Sequence, residues 1–431
     1  MNRKLLAVYA DILYLRFTDT FASLPANALN SISPNNFWKR LLRVVLWLGR
    51  LLLNLFLPRK HQENISGKIW LYVVSKNNYE SLAFLKDAMP QTVFVAGQNK
   101  QIGIYNAKVN RLSTRYKIKY LYKFPGLLWG LYKLKGRRAL RFFDLIFAAA
   151  GYYELSLGYL KKHQPQAIIF ANDHNTDSRA LLLAAKELHI PTVYIQHASV
   201  STSFPPLAFA LNLLEGQDAL DKYRQCGPIS GEVKLIGMPK ADQFIRNKNT
   251  RTVIQHIGVC VNIIDDLGAV RELLLLLTEQ EPTFHISVRP HPSDKRDYGF
   301  ISNLNPKIEL SNSKTEPAFD FLKKQDAIIA ADSSIHLEAV MLNILSIYYR
   351  FNAGNFVYDY YGYAQHHLVQ VADTPEQLIS LLNRYKNNRP PVYQKANYYN
   401  AVMGTENEGN SHSLAVGYIQ EFLKLKQNTN N

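Results

Sequence analysis

Residues 167–201 read AIIFANDHNTDSRALLLAAKELHIPTVYIQHASVS. Four apolar residues, Ala167 to Phe170, give way to the polar run ANDHNTDS. A stretch with helical spacing follows, RALLLAAKEL (179–188), and then a second apolar run, PTVYI (191–195), which ends in Gln196 and His197. Strand, polar loop, helix and strand in that order describe a βαβ unit of a parallel sheet, whose strands are buried on both faces. The alternation extends outward in both directions. Before it lie IWLYVV (69–74), a helical stretch and TVFV (92–95); after it VKLI (233–236) precedes GMPKAD. A second series begins at IGVCVNII (257–264). It passes through a leucine-rich helix (269–277) to FHISV (284–288), AIIAA (327–331) and LSIYY (345–349). A lysine- and asparagine-rich segment, 238–252, separates the two series. The expectation is an α/β chain with an N-terminal basic and hydrophobic segment over 1–65 and two Rossmann-like domains, 66–240 and 250–425, facing a cleft.

The 431 residues are 47% hydrophobic and 19% charged, which excludes wholesale disorder and supplies more than one core. Two cysteines, Cys226 and Cys260, exclude a disulfide framework and a four-cysteine zinc site, and the chain reads as intracellular. Its net charge of +16 is unevenly placed. No acid occurs between Asp19 and Glu63, where six bases lie, nor from Ala88 to Phe143, where there are twelve. Those eighteen exceed the whole excess, so the remainder is slightly acidic. A basic patch suits nucleic acid, an anionic membrane or an acidic polymer. Here the bases keep apolar company. In FWKRLLRVVLWLGRLLLNLFL (37–57), Lys39, Arg43, Arg50 and Asn54 fall on one side of a helix, with Leu, Val and Trp on the other. That pattern points to a helix lying in the headgroup plane. The alternatives are a buried helix with snorkelling arginines and a single-pass anchor, which the arginines make costly. YLYKFPGLLWGLYKLKGRR (120–138) repeats the mixture. Without an RNP, KH or zinc-finger signature, nucleic acid is not the expected partner. Asp11 interrupts the opening apolar run, so no cleavable signal peptide is read. The expected location is the inner face of the cell membrane, held peripherally by its anionic surface.

Ligands of open parallel sheets sit beyond the carboxyl ends of strands, and that is where the polar residues fall. Arg289-Pro290-His291-Pro292 follows FHISV: two prolines stiffen the backbone and remove amide donors, leaving Arg289 and His291 to meet a phosphate, unless the motif is only a rigid turn. Asp332-Ser333-Ser334 opens the helix IHLEAVML, where serines either cap the helix or join its amides in holding phosphate. Glu338, one turn in, either reaches a ribose diol or is an exposed helical acid. In the first series, Asn172-Asp173-His174 and Gln196-His197 each end a strand and, if the two strands are neighbours, offer a carboxylate and imidazoles for deprotonating an acceptor hydroxyl. Asp177 is either that acid or a helix cap. With no DxD, HExxH or other ligand spacing, no tightly bound metal is expected. With no GxGxxG or GxxxxGK[ST], neither a dinucleotide-binding dehydrogenase nor a P-loop enzyme is expected.

These motifs, in this order, resemble a known group. PTVYIQHASVS is similar to the IPT-x-x-x-QHG segment of GT-B-type enzymes of bacterial surface-polysaccharide synthesis. RPHP and DSSIHLEAV resemble the HP and Ser-Ser motifs of bacterial polysialyltransferases, capsule Kdo transferases and teichoic-acid glycerophosphotransferases. IGMPKAD resembles the G-x-P-x-x-D of that superfamily and of UDP-N-acetylglucosamine 2-epimerase. The resemblance covers about 165–350 and departs at Ala198, where Gly is usual. It implies transfer of a sugar from a CMP-, UDP- or GDP-activated donor, as co-substrate with no tightly bound cofactor, to a cell-surface polysaccharide or lipid-linked glycan. His291, Ser333 and Ser334 would meet the donor phosphate, with Arg289 beside them, and Glu338 the ribose. The first domain, with His174 and Gln196 near the acceptor, would supply the base: Asp173, or His197 as second choice. Transfer of a polyol phosphate from CDP-glycerol or CDP-ribitol, and 2-epimerisation of a nucleotide sugar, are the alternative chemistries. Asp265-Asp266-Leu267-Gly268 resembles a paired-acid motif of bacterial sialyltransferases but opens the wrong domain, so no role is carried over.

Overall fold

The apolar runs become two parallel sheets in the computed structural model, which describes residues 2–24, 26–56, 63–97, 102–172, 174–351 and 358–428. The first sheet comprises β1 (Ile69–Tyr72), β2 (Thr92–Gly97), β3 (Asn110–Leu112), β4 (Ala167–Phe170), β5 (Thr192–Ile195), β6 (Leu211–Leu214) and β7 (Glu232–Leu235). Its order is β3-β2-β1-β4-β5-β6-β7, all parallel, with Ile69 in register with both Thr92 and Ala167. The second comprises β8 (His256–Val261), β9 (His285–Pro290), β10 (Ile308–Leu310), β11 (Ala327–Ala330), β12 (Leu345–Tyr349) and β13 (Gln370–Ala372), ordered β10-β9-β8-β11-β12-β13. In both, the chain reverses its direction of travel across the sheet once, between β1 and β4 and between β8 and β11. At such a switch point the two outgoing loops diverge and leave a hollow for a ligand.

Burial explains why these runs are strands. Every residue of β1, β2, β4, β5, β6, β11 and β12 is inaccessible, so each must be apolar on both faces or have its polar groups bonded. Helices close over them: Leu181 and Leu182 of Thr176–Glu187 over the first sheet, Leu273, Leu274 and Leu277 of Leu267–Gln280 over the second. Each such leucine is worth roughly 1.5–3 kcal/mol of burial.

The chain divides into two compact units. One contains Met1–Leu214, Ala219–Leu235 and Ser413–Asn431; the other contains Glu215–Asp218 and Ile236–His412. The second unit therefore begins at Ile236, ahead of the polar stretch 238–252, and the last helix belongs with the first unit rather than with the domain expected over 250–425. The segment expected over 1–65 is not separate but part of the first unit. Gly237 makes the turn after β7: its φ is +80°, and a Cβ there would lie 2.6 Å from Ser411 Oγ and from Val402 Cγ2. Asp173, Arg59, Lys60, Lys100 and the polar tail 429–431 lie outside the described residues.

The helix Phe37–Phe56 turns its polar side inward and its apolar side outward, the reverse of the buried-helix alternative with snorkelling arginines. Its buried residues are Arg40, Leu51 and Asn54, on the polar side. Arg40 donates from Nη1 to the carbonyls of Pro34 (3.0 Å) and Asn35 (2.9 Å). Arg43 donates to the carbonyls of Ile32 and Ser31 and lies 4.0 Å from Asp144, a fully buried carboxylate that also accepts from Ser33 Oγ. Buried charges need partners, and these arginines have them inside the fold. No helix among the described residues is long and apolar enough to cross a membrane.

Candidate functional site

In the C-terminal unit three loops meet at the β8/β11 switch point. His291, the residue after β9, donates its amide to Val261 O at the end of β8 (2.8 Å), and the Asn262 side chain donates to Asp332 O beyond β11 (3.3 Å). His291 and the 332–334 turn thus flank the same two residues, Val261 and Asn262. The loops are fastened by Arg296, which donates to the carbonyl of Asn262 (2.7 Å), to that of Asp265, and to both carboxylate oxygens of Asp294. Tyr298 OH adds a 2.9 Å bond to Asp294, whose pKa these donors hold down at about 2. Asp265 and Asp266 have structural work: Asp265 accepts the Asn262 amide and Asp266 caps the helix Leu267–Gln280 through Ala269 N. Burial lifts the Asp265 carboxyl to about 6.

His291 is exposed, and its tautomer follows from its neighbours. Ser293 N donates to Nδ1 (3.1 Å), so in the neutral ring Nε2 carries the proton and is a donor. Burial of part of the ring holds its pKa below the ordinary 6.5 against the pull of Asp294. The ring is thereby favoured as a neutral N–H donor. Ser334 is exposed and makes no capping bond, whereas Ser333 Oγ accepts weakly from Ile335 N at 3.4 Å. Asp332 shapes the turn by accepting from Tyr348 OH (2.7 Å) and Tyr360 N (2.8 Å).

Sequence reasoning missed the group that holds this turn open. His336, fully buried, donates from Nε2 to Ala331 O (2.9 Å) and accepts at Nδ1 from Ser346 Oγ (2.6 Å). Burial pushes its pKa down to about 4, so it stays neutral. It lies inside the motif DSSIHLEAV, and an imidazole among Ile, Leu and Val was the available signal.

Arg289 is not beside His291 as a phosphate grip. Its guanidinium is buried, donates to Ser311 Oγ (3.0 Å) and Glu316 O (2.9 Å), lies 3.8 Å from the Glu316 carboxylate, and stacks over Phe321. Arg289 instead braces the segment that follows β10. Glu338 is likewise not an idle surface acid. It is almost buried and pairs at 2.8 Å with Lys240 Nζ, from the GMPKAD segment. Buried Glu215 completes the group: burial raises its pKa to about 7, with Lys240 opposing and Glu338 and Asp218 adding to the rise. The lysine's desolvation is outweighed by Glu338 and Glu215, and its pKa is raised.

In the N-terminal unit the β1/β4 switch point is organised by Asn78, another residue the sequence did not single out. Its Oδ1 accepts Val74 N (3.2 Å), and its Nδ2 donates to Ala171 O (3.4 Å) and to His197 Nε2 (3.0 Å). The backbone partners fix the amide's orientation, so His197 Nε2 is an occupied acceptor and its neutral ring carries the proton on Nδ1. That arrangement weighs against His197 as base. Gln196 is buried and donates to Ala198 O (3.0 Å), and His174 packs on Phe204. Asn172 closes the loop by accepting from the amides of His174 and Asn175. Asp177 is not a helix cap: its Oδ2 accepts from the buried Tyr72 OH (2.9 Å) and sits where a Cβ on Gly97 would come within 2.8 Å. No cluster of three or more His, Cys, Asp or Glu with metal-binding geometry occurs among the described residues.

No family profile matches the chain, and no curated protein sequence matches it. Solved structures do. The UDP-GlcNAc 2-epimerase from Neisseria meningitidis bound to UDP-GlcNAc superposes with a TM-score of 0.55 at 12% identity, over 82% of this chain and 100% of that one. S. aureus MnaA, in a co-structure with UDP, gives 0.53 at 12% identity over 83% and 97%. The glycotransferase of kitacinnamycin gives 0.51 at 11% identity over 83% and 99%. At such identity the likeness establishes one thing: the chain has the two-domain, parallel-sheet α/β fold termed GT-B.

Proposed function

We propose that the chain is a glycosyltransferase that moves a sugar from a CMP-, UDP- or GDP-activated donor to a cell-surface or lipid-linked glycan. The observation that carries this reading is the meeting of His291, Asn262 and the 332–334 turn at the switch point of the C-terminal sheet. In direct displacement the acceptor oxygen bonds to the anomeric carbon, the bond from that carbon to the phosphate oxygen breaks, and the electron pair leaves with the nucleotide. His291 Nε2–H and the Ser334 hydroxyl then donate to the oxygen that gains charge, where fixed donors contribute most. Glu338, held by Lys240, turns its second oxygen to the ribose. The acceptor proton goes to a base of the N-terminal unit, for which Asp173 is preferred because His197 Nε2 is engaged by Asn78. That similarly folded structures hold UDP and UDP-GlcNAc supports a nucleotide sugar as ligand.

The deciding experiment is a thermal-shift panel of CMP, CDP, UDP and GDP on the native protein and on His291→Ala. A nucleotide at about a hundred times its Kd stabilises by about 2.7 kcal/mol; the matching nucleotide should stabilise the native chain and not the variant. Failure of all four to shift either protein would remove the reading's support. The fold likeness to UDP-GlcNAc 2-epimerase favours one rival, nucleotide-sugar epimerisation. It predicts that the donor isomerises without any acceptor, whereas a transferase releases free nucleotide only when an acceptor is supplied. A polyol-phosphate transferase instead releases CMP from CDP-glycerol or CDP-ribitol.

A further inference from the structure

The face that the helix Phe37–Phe56 turns away from the fold is apolar along its whole length. At about 100° per residue, Trp38, Leu42, Val45, Leu46, Leu53 and Phe56 form one stripe, and each is between 56% and 84% exposed. Gly49 completes the stripe without projecting. The helix cannot roll over to hide it, because Arg40 and Arg43 are bonded to the carbonyls of 31–35 and Arg43 reaches Asp144. An apolar surface some 30 Å long is more than a soluble monomer ordinarily leaves in water.

Charge selects the occupant. Lys39 and Arg50 are exposed and lie together on one flank of the stripe. The segment Arg115–Lys123 packs alongside the helix and carries exposed Lys119 and Tyr122, and the helix after it exposes Trp129, Lys133 and Leu134. No acid occurs from residue 20 to 62 or from 88 to 143. A second copy of this chain would bring like charge against like, and an apolar protein groove would leave the bases without partners. An anionic bilayer satisfies both halves: acyl chains take the stripe, phosphates take the flank, and tryptophan and tyrosine sit at the boundary.

We propose that this pre-formed face docks the protein on an anionic lipid surface, with the helix parallel to the membrane plane and Trp38, Leu42, Leu46, Leu53 and Phe56 inserted. Docking needs no refolding, because the apolar stripe already faces outward and Arg40 and Arg43 already hold the opposite side to the fold. It is independent of the nucleotide-sugar reading.

The test is flotation of the full chain with vesicles of phosphatidylcholine alone and with 30% phosphatidylglycerol, at low and high salt. The native chain should float with the anionic vesicles, and Trp38 fluorescence should be quenched by brominated acyl chains in a Trp129→Phe background. Leu46→Glu/Leu53→Glu should weaken partitioning about tenfold or more per residue, and Lys39→Gln/Arg50→Gln about fivefold per charge at low salt. All these residues are exposed, so the variants should keep the native melting temperature. Three results would overturn the proposal: no flotation of the folded native chain, flotation unchanged by the glutamate pair, or a concentration-dependent dimer that the same pair dissociates. Because the nucleotide-induced thermal shift is read without lipid, loss of either result leaves the other standing.

Discussion

Glu215 offers the sharpest test of the energetics. Its carboxyl is buried against Lys240 and Glu338, and its pKa is raised from the ordinary 4.5 to about 7. An unfolded chain releases that proton near pH 4.5; the folded one keeps it to about pH 7. Between those values folding takes up a proton, so the stability contributed below pH 4.5 is lost as pH rises and is fully lost above about 7. The gap corresponds to roughly 3 kcal/mol. Glu215→Gln keeps the shape and removes the titration. Whatever the amide itself costs or contributes, the difference between variant and native protein should move in the variant's favour by roughly 3 kcal/mol from pH 4.5 to pH 8. For a unit of this size about 2–4 °C accompany each kcal/mol, so the relative gain in Tm is roughly 6–12 °C. Melting curves of both proteins across that range measure it, and titrating groups that do not interact with Glu215 cancel in the subtraction. Parallel profiles for the two proteins would refute the burial of an ionisable carboxyl there. A variant that loses ground with rising pH would refute the sign.

Three further outcomes are expected. His336→Ala leaves Ala331 O and Ser346 Oγ without their buried partner and opens a void, so it should destabilise by about 2–4 kcal/mol in urea unfolding and abolish nucleotide-induced stabilisation as the 331–334 turn relaxes. Gly237→Ala places a Cβ 2.6 Å from Ser411 Oγ at a positive φ and should cost about 2–4 kcal/mol by the same measurement, whereas Gly404, with open space around it, should tolerate alanine better. Because His291 starts below its ordinary pKa and a phosphate would raise it, nucleotide affinity should strengthen by up to about tenfold from pH 8 to pH 6, and His291→Gln should lose that extra slope in calorimetric titrations.

What could be read of the fold depended on how completely a strand is buried. AIIF, PTVYI and AIIAA are legible because parallel strands closed on both faces are apolar without interruption. NRL, IEL and QVA, which form β3, β10 and β13 at or near sheet edges, are three residues long and half polar, and nothing in them rises above loop. β6, LNLL, is fully buried yet was missed, because Asn212 interrupts the run. Its Nδ2 donates to the carbonyls of Ser230 and Glu232, partners the sequence places eighteen and twenty residues away. The same limit applies to the site. His291 and Ser334 announce themselves by following strands, but the roles of Arg289 and Glu338 depend on Glu316 and Lys240, remote in sequence.

The N-terminal helix shows that limit most clearly. Periodicity in 37–57 identifies two faces correctly but carries no sign, since a polar face turns inward as readily as an apolar one when it finds enough acceptors. Here the acceptors are four backbone carbonyls between Ser31 and Asn35 and one carboxylate, Asp144, the first acid after the long basic stretch. Burial raises that carboxylate's pKa, against the smaller opposing pull of Ser33, Arg43 and Arg40. Asp144→Asn would therefore remove the charge that balances the arginines while leaving Ser33 a partner. If charge balance is what holds the polar side inward, the variant should be less stable by about 3 kcal/mol, as for breaking a buried pair, and should expose Trp47 to quenchers; if the carbonyls suffice alone, neither should change.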